Sequence, residues 1–168
     1  MTHQRIAVCT LVTAALLGFA APARADVTVF LGRSRNTSAT PGAPAVSQGL
    51  KGAAFGIGLL VVGFEVEGAQ HSEDPVKGIP GLKTGMGSVL VQTPTGNVQL
   101  YGAAGGGVFR EALGTSSETN FATNIGGGIK MGIFGPLRLR ADYRILNLRG
   151  TPRYKTVQRF YVGASLKF

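Results

Sequence analysis

Period-two alternation of apolar side chains with polar or small ones is the feature that most constrains this chain. It is cleanest in the last ten residues, RFYVGASLKF. Successive side chains of a strand point to opposite faces. Phe160, Val162, Ala164, Leu166 and Phe168 therefore share one face, and Arg159, Tyr161, Gly163, Ser165 and Lys167 share the other. One face is oily to the last residue and the other is polar or small. Such a strand turns its oily face either to a protein core or to lipid. The rest of the chain decides which.

The alternation recurs along the chain. Residues 27–32, VTVFLG, are rich in β-branched side chains, although Phe30 falls on the polar side and leaves the facing ambiguous. Ala53, Phe55, Ile57 and Leu59 alternate with Ala54, Gly56 and Gly58. Val62, Phe64 and Val66 alternate with Gly63, Glu65 and Glu67. Residues 82–93 carry Met86 and Leu90 on one face, and 98–110 are strand-like but full of Gly and Ala. Phe121, Thr123, Ile125, Gly127, Ile129 and Met131 then alternate with Asn124, Gly126, Gly128 and Lys130. Leu137, Leu139, Ala141, Tyr143 and Ile145 alternate with Arg138, Arg140, Asp142 and Arg144. With the closing segment this makes eight strands. Polar, Pro- and Gly-bearing stretches near 34–50, 71–81, 111–119 and 147–155 read as long loops, and those near 60–61, 94–97 and 132–136 as short turns. Alternately long and short connections characterise transmembrane barrels, whose strands need about 9–11 residues to cross at a tilt.

The start of the chain supports export. His3 and Arg5 precede a mostly apolar stretch at 6–20, and Ala23-Arg24-Ala25 has the small-x-small form of a signal-peptidase site before Asp26. Residues 1–25 are expected to be a signal peptide and 26–168 one domain. Cys9 lies inside the apolar stretch, so the mature chain has no cysteine and is not disulfide-stapled. Removing Arg5 and Arg24 takes the formal charge from +9 to +7. No later run reaches the 18 or so apolar residues of a membrane helix, so any span must come from strands. In hydrocarbon, strands satisfy their backbone only as a closed barrel.

The strand-only pattern also fits a soluble, lipocalin-like barrel with its apolar face turned in. The polar face argues for the other solvent. It carries charges of both signs among many glycines, which suits a narrow lumen where long side chains from one wall need space at the other. The fold class expected is therefore all-β, an eight-stranded antiparallel transmembrane up-and-down β-barrel. Strands three and seven lie opposite in a ring of eight. Glu65 and Glu67 should then lie level with Arg140, Asp142 and Arg144 across the lumen, in a charge network that also holds Arg138 and, on the neighbouring strand, Lys130. An eight-stranded barrel is only wide enough for its side chains to fill it. A charged plug is expected, not an open channel.

The mature chain resembles the small eight-stranded outer-membrane barrels of the OmpA/OmpX type. The resemblance covers nearly all of 26–168 and is most specific in LRLRADYR at 137–144 and in the closing strand. It implies bacterial outer-membrane localisation. It also implies that Phe160, Val162, Ala164, Leu166 and Phe168 form a signal for the barrel-assembly machinery. The type has no shared activity, so the fold gives little function. A non-enzymatic structural or surface-interaction role is expected, with a narrow pore, a loop-mediated adhesin or a lipid A-modifying enzyme as alternatives.

Sites of chemistry are few. His71-Ser72-Glu73 invites a hydrolase reading, but adjacent strand residues point apart and a solvated loop accounts for them better. His71 is the one mature histidine and makes a poor metal site. Gly105-Gly106-Gly107 and Gly126-Gly127-Gly128 open no helix, so they are not phosphate loops. They are expected to pair across a hairpin and relieve crowding in the barrel. No catalytic residue, cofactor or metal is expected. Arg33, Arg35, Lys51, Lys77, Arg110, Arg149, Arg153, Lys155 and Arg159 are placed at the outer rim. Nucleic acid is an unsuitable partner for an exported barrel. Lipopolysaccharide phosphates are the nearest anions, and Arg149, Arg153 and Lys155 are the expected contacts. A monomer in outer-membrane lipid is expected.

Overall fold

The computed structural model describes residues 24–38, 45–94 and 96–168. Most of the expected signal peptide lies outside them. The described chain forms eight strands, β1 Arg24–Ser38, β2 Val46–Leu59, β3 Val62–His71, β4 Gly81–Gln92, β5 Val98–Leu113, β6 Ser116–Phe134, β7 Leu137–Leu148 and β8 Tyr154–Lys167. Each pairs antiparallel with its sequence neighbours, and β8 closes onto β1, giving a closed barrel in the order β1 to β8. Closure leaves no unpaired edge, which is the condition for strands to cross hydrocarbon.

The period-two pattern sorts the side chains. On β3 the burial alternates at every residue, with Phe64, Val66 and Gly68 outside and Glu65, Glu67 and Ala69 inside. Outward positions elsewhere carry Val29, Leu31, Phe55, Ile57, Leu100, Phe121, Ile125, Tyr143, Phe160, Val162 and Leu166, all exposed. A soluble protein would not leave so large a contiguous apolar belt in water. Phe30 points inward and stacks on Tyr161, ring centroids 4.2 Å apart, which resolves the facing of β1.

The connections depart from expectation on one side of the barrel. The turns at 60–61, at 93–97 and at Gly135 and Pro136 are as short as expected. The supposed loop at 111–119 is a two-residue turn, Gly114 and Thr115, between long strands. Gly114 holds a positive φ of 58°, the left-handed conformation that glycine adopts without strain. β1 and β2 likewise reach into 34–50, while 149–153 is a five-residue connection. The polar residues read as loop are the upper parts of strands, polar on both faces. The 72–80 connection alone among the described outer ones is long, and it contains one helical turn, Pro75–Lys77.

The interior has tiers. At the outer end Leu82, Met86, Phe109, Leu146, Leu148, Tyr154 and Val157 form a dry apolar cluster on the β4–β8 side. The middle is charged. At the inner end Thr28 and Ser165 share a hydrogen bond of 2.7 Å on the β1–β8 side, and Leu90, Tyr101 and Ala103 cluster on the β4–β5 side. The charged plug expected from sequence is thus capped by a hydrophobic tier. The two glycine runs do not face each other. Gly105, Gly106 and Gly107 pair with Asn124, Thr123 and Ala122, and Gly126, Gly127 and Gly128 pair with Ala103, Gly102 and Tyr101. The offset arises because the two-residue turn fixes the register of the hairpin four residues away from the one in which the runs would face each other.

Candidate functional site: the lumen and the outer rim

β7 sends four alternate charged side chains inward, and β3 sends two from across the barrel. Arg140 donates from Nη1 to Glu65 Oε2 at 2.5 Å and from Nη2 to Asp142 Oδ2 at 2.6 Å. Arg144 donates from Nη2 to Glu65 Oε1 at 2.5 Å and from Nε to Asp142 Oδ1 at 3.1 Å. Its Nη1 lies 3.5 Å from Glu67 Oε2. Arg159 donates to Glu67 Oε1 at 3.2 Å and to Thr84 Oγ1 at 2.8 Å. Tyr161 donates its hydroxyl proton to Glu67 at 2.6 Å, and Tyr101 donates to Asp142. Three guanidiniums thus meet three carboxylates, and the cluster is electrically neutral. All six side chains are at least 98 % buried. Buried charges tolerate such a place only when paired and hydrogen-bonded, because desolvation otherwise outweighs their attraction. Tyr101 and Tyr161 also lie against Arg140, ring centroids 5.1 and 5.9 Å from its guanidinium carbon.

Of the seven residues expected in a lumen network, Glu65, Glu67, Arg140, Asp142 and Arg144 come together. Lys130 and Arg138 sit nearer the inner end and make no ion pair with the cluster's carboxylates, although the Lys130 ammonium lies 5.5 Å from the centroid of the Tyr101 ring. Lys130 pairs with Asp26 at 2.5 Å, and Arg138 donates to Gln99 at 3.1 Å. Sequence reasoning misplaced Arg159. The polar stretch before it points to a rim cation, whereas β8 starts at Tyr154 and carries Arg159 well inside. Its place on the polar face of the closing strand, beside Tyr161, was the signal that could have found it. Thr84, Tyr101 and Tyr161 were also missed as network partners. Their inward facing follows from alternation once strand ends are known.

The glycines of β6 make room for this cluster. A Cβ at Gly128 would lie 2.4 Å from the Ala141 carbonyl oxygen and 2.6 Å from the Tyr101 hydroxyl. One at Gly126 would lie 2.2 Å from the Tyr143 carbonyl and 2.9 Å from Arg144 Cγ. β6 thus gives up its own side chains so that those of β5 and β7 can reach each other.

His71, Ser72 and Glu73 do not form a triad. His71 is buried in the lumen and Ser72 is exposed, as alternation requires. His71 Nδ1 shares a hydrogen bond of 2.8 Å with Ser34 Oγ, and its Nε2 is buried without a partner. In a hydrolytic triad the serine sits on Nε2 and a carboxylate on Nδ1. Glu73 instead accepts from the Gly114 N–H at 3.3 Å.

At the outer end Arg149, Arg153 and Lys155 are exposed. The Arg153 backbone N–H donates to Glu111 at 3.2 Å, which ties 149–153 to β5. Along β8 toward the opposite end Phe160, Val162, Ala164 and Leu166 face outward, and Phe168, just past the strand, is exposed too. Phe168 exchanges backbone hydrogen bonds with Ala25, both 2.9 Å, so β8 zips to β1 up to its last residue.

No protein-family model matches the chain, and no curated protein matches it either. Solved structures do. Neisserial surface protein A superposes with a TM-score of 0.73 at 16 % identity, over 86 % of this chain and 97 % of that one. The N-terminal β-barrel domain of Pseudomonas aeruginosa OprF gives 0.62 at 16 % identity, over 86 % and 97 %. Ail, the attachment invasion locus protein of Yersinia pestis, gives 0.59 at 17 % identity, over 86 % and 98 %. At these identities the likeness is one of fold. It extends over almost the full length of each of those chains. The chain folds as a closed eight-stranded antiparallel β-barrel with the architecture of these small outer-membrane barrels.

Proposed function

We propose that the protein is a non-enzymatic outer-membrane barrel of structural or surface-interaction role, of the OmpA/OmpX type, and closed to ion flow by its own side chains. The observation that carries this reading is the neutral arginine–carboxylate cluster filling the middle of the lumen under an apolar tier. An aqueous pore needs a continuous wet path, and this lumen is crossed by ion pairs from wall to wall. Lys130 and Arg138, paired lower down, are assigned to the same filling of the barrel.

The mature chain starts at Asp26 in this reading, so that β1 begins opposite Lys167 and the Ala25–Phe168 pair belongs to the precursor alone. The alternate apolar residues from Phe160 to Phe168 serve the barrel-assembly machinery. Arg149, Arg153 and Lys155 contact lipopolysaccharide phosphate, for which three exposed cations within seven positions at the outer end are the support. The protein works as a monomer in outer-membrane lipid. The test is outer-membrane fractionation with intact mass. Heat-modifiable protein with a mass starting at Asp26, in the outer-membrane fraction, is expected. Folded protein in the soluble fraction, or a mass that retains 1–25, contradicts the reading.

A further inference from the structure

A row of cations crosses the outer wall of the barrel, separate from the loop cations at 149–155. The strand registers put Lys51 opposite Gln70, Gln70 opposite Lys83, and Lys83 opposite Arg110. All four face outward and are exposed. Directly opposed residues on neighbouring strands have Cβ atoms about 5 Å apart, and like charges so placed destabilise a sheet. Lys83 and Arg110 are such a pair. Neither they nor Lys51 make an ion pair among the described residues. Arg110 has one weak contact, to Ser117 Oγ at 3.4 Å. The pair flanks a hollow of about 350 Å³ that Gln70 also lines. Glu73 stands on the same hollow, turned to the Gly114 N–H.

The wall beneath differs sharply. The next outward row is Ala53 opposite Gly68 and Gly68 opposite Gly85, followed by Val108. An open apolar groove runs there, with Val29, Ala53 and Gly68 in its floor and Lys51, Gln70 and Lys83 along its top. Cations over an apolar wall on the lipid side of a barrel mark the height where headgroups begin.

We propose that this wall is a binding site for a phosphate-bearing, multi-acyl lipid of the outer leaflet. The phosphate sits between Lys83 and Arg110 and converts their repulsion into two charge-assisted contacts. Lys51, two strands away, reaches the same headgroup, with Gln70 donating between them. An acyl chain lies in the groove over Ala53 and Gly68. The proposal rests on the outer-membrane reading above but not on the contacts assigned to Arg149, Arg153 and Lys155.

The test is titration of protein refolded in non-ionic detergent with diphosphoryl lipid A and, separately, with its dephosphorylated form. Lys83→Gln with Arg110→Gln is expected to weaken diphosphoryl binding by roughly tenfold, on the scale of one or two lost charge-assisted contacts. Binding of the dephosphorylated lipid stays unchanged. The urea midpoint of this variant without lipid equals or exceeds the parent's, because a repelling pair is gone. Lys83→Glu, which turns that pair into an attracting one, gives the same loss of binding in a folded protein. Diphosphoryl binding retained within twofold in both variants, or equal loss for both lipids, overturns the proposal. A triple variant of Arg149, Arg153 and Lys155 to Gln keeps this site. Loss of diphosphoryl binding in that variant alone, with none in the wall variants, assigns the phosphate to the loop and overturns the wall site.

Discussion

Glu67 shows how much depends on one residue in the lumen. It takes hydrogen bonds from Arg159 and Tyr161 and faces Arg144, while Glu65 on the same strand is shared by Arg140 and Arg144. Replacing both glutamates by Gln leaves three buried guanidiniums with Asp142 as their remaining carboxylate. The penalty for breaking buried pairs by removing one partner is about 3–5 kcal/mol. The double variant is expected to unfold in urea at a clearly lower midpoint than the parent, in the same detergent. An unchanged midpoint contradicts the pairing. Gly128 makes the converse point, that a missing side chain can be structural. In Gly128→Ala the new methyl meets the Ala141 carbonyl and the Tyr101 hydroxyl. The Tyr101–Asp142 bond is lost or strained, at about 1–3 kcal/mol, the usual range for overpacking. Gly114→Ala is no proper control, since its φ is positive. Gly68→Ala is one, since a Cβ there meets nothing within 4 Å, and its midpoint is expected to stay close to the parent's.

The closing strand sets the behaviour of the elements. β8 has one seam with β7 and one with β1, and its last residue, Lys167, still pairs with Asp26 of β1. Deleting Phe168 removes the outward aromatic that follows the last β1–β8 pair, Asp26 with Lys167. The deletion is expected to reduce folded, heat-modifiable protein in the outer membrane severalfold. Normal amounts contradict the role given to the terminus. Strand number, alternation and the facing of β3 and β7 were legible in the sequence because each strand there has an oily side. Strand ends were not. In 116–120, SSETN, both faces are polar, so nothing distinguishes a strand risen clear of the lipid from a loop. Met86 and Leu82 were unreadable for the opposite reason. They are apolar residues that face the lumen, where the outer tier is packed like an ordinary protein core. Arg159 was lost through the same error in the position of a strand end.

At the scale of the whole molecule, a barrel of eight strands has no interior to spare. An apolar cluster shares the outer tier with the buried His71–Ser34 pair, the arginine–carboxylate cluster fills the middle, Lys130–Asp26, Arg138–Gln99 and Thr28–Ser165 occupy the inner end, and β6 and β5 supply glycines where neighbouring side chains and strands need room. The outside is correspondingly simple, an apolar belt with cations above it. Single-channel recording of the mature protein in a planar bilayer tests the closed lumen most directly. The account predicts a quiet baseline from the unmodified barrel, and openings only when Glu65 and Glu67 are both replaced by Gln and the unpaired arginines draw in water. Steady unitary conductance from the unmodified protein would contradict it.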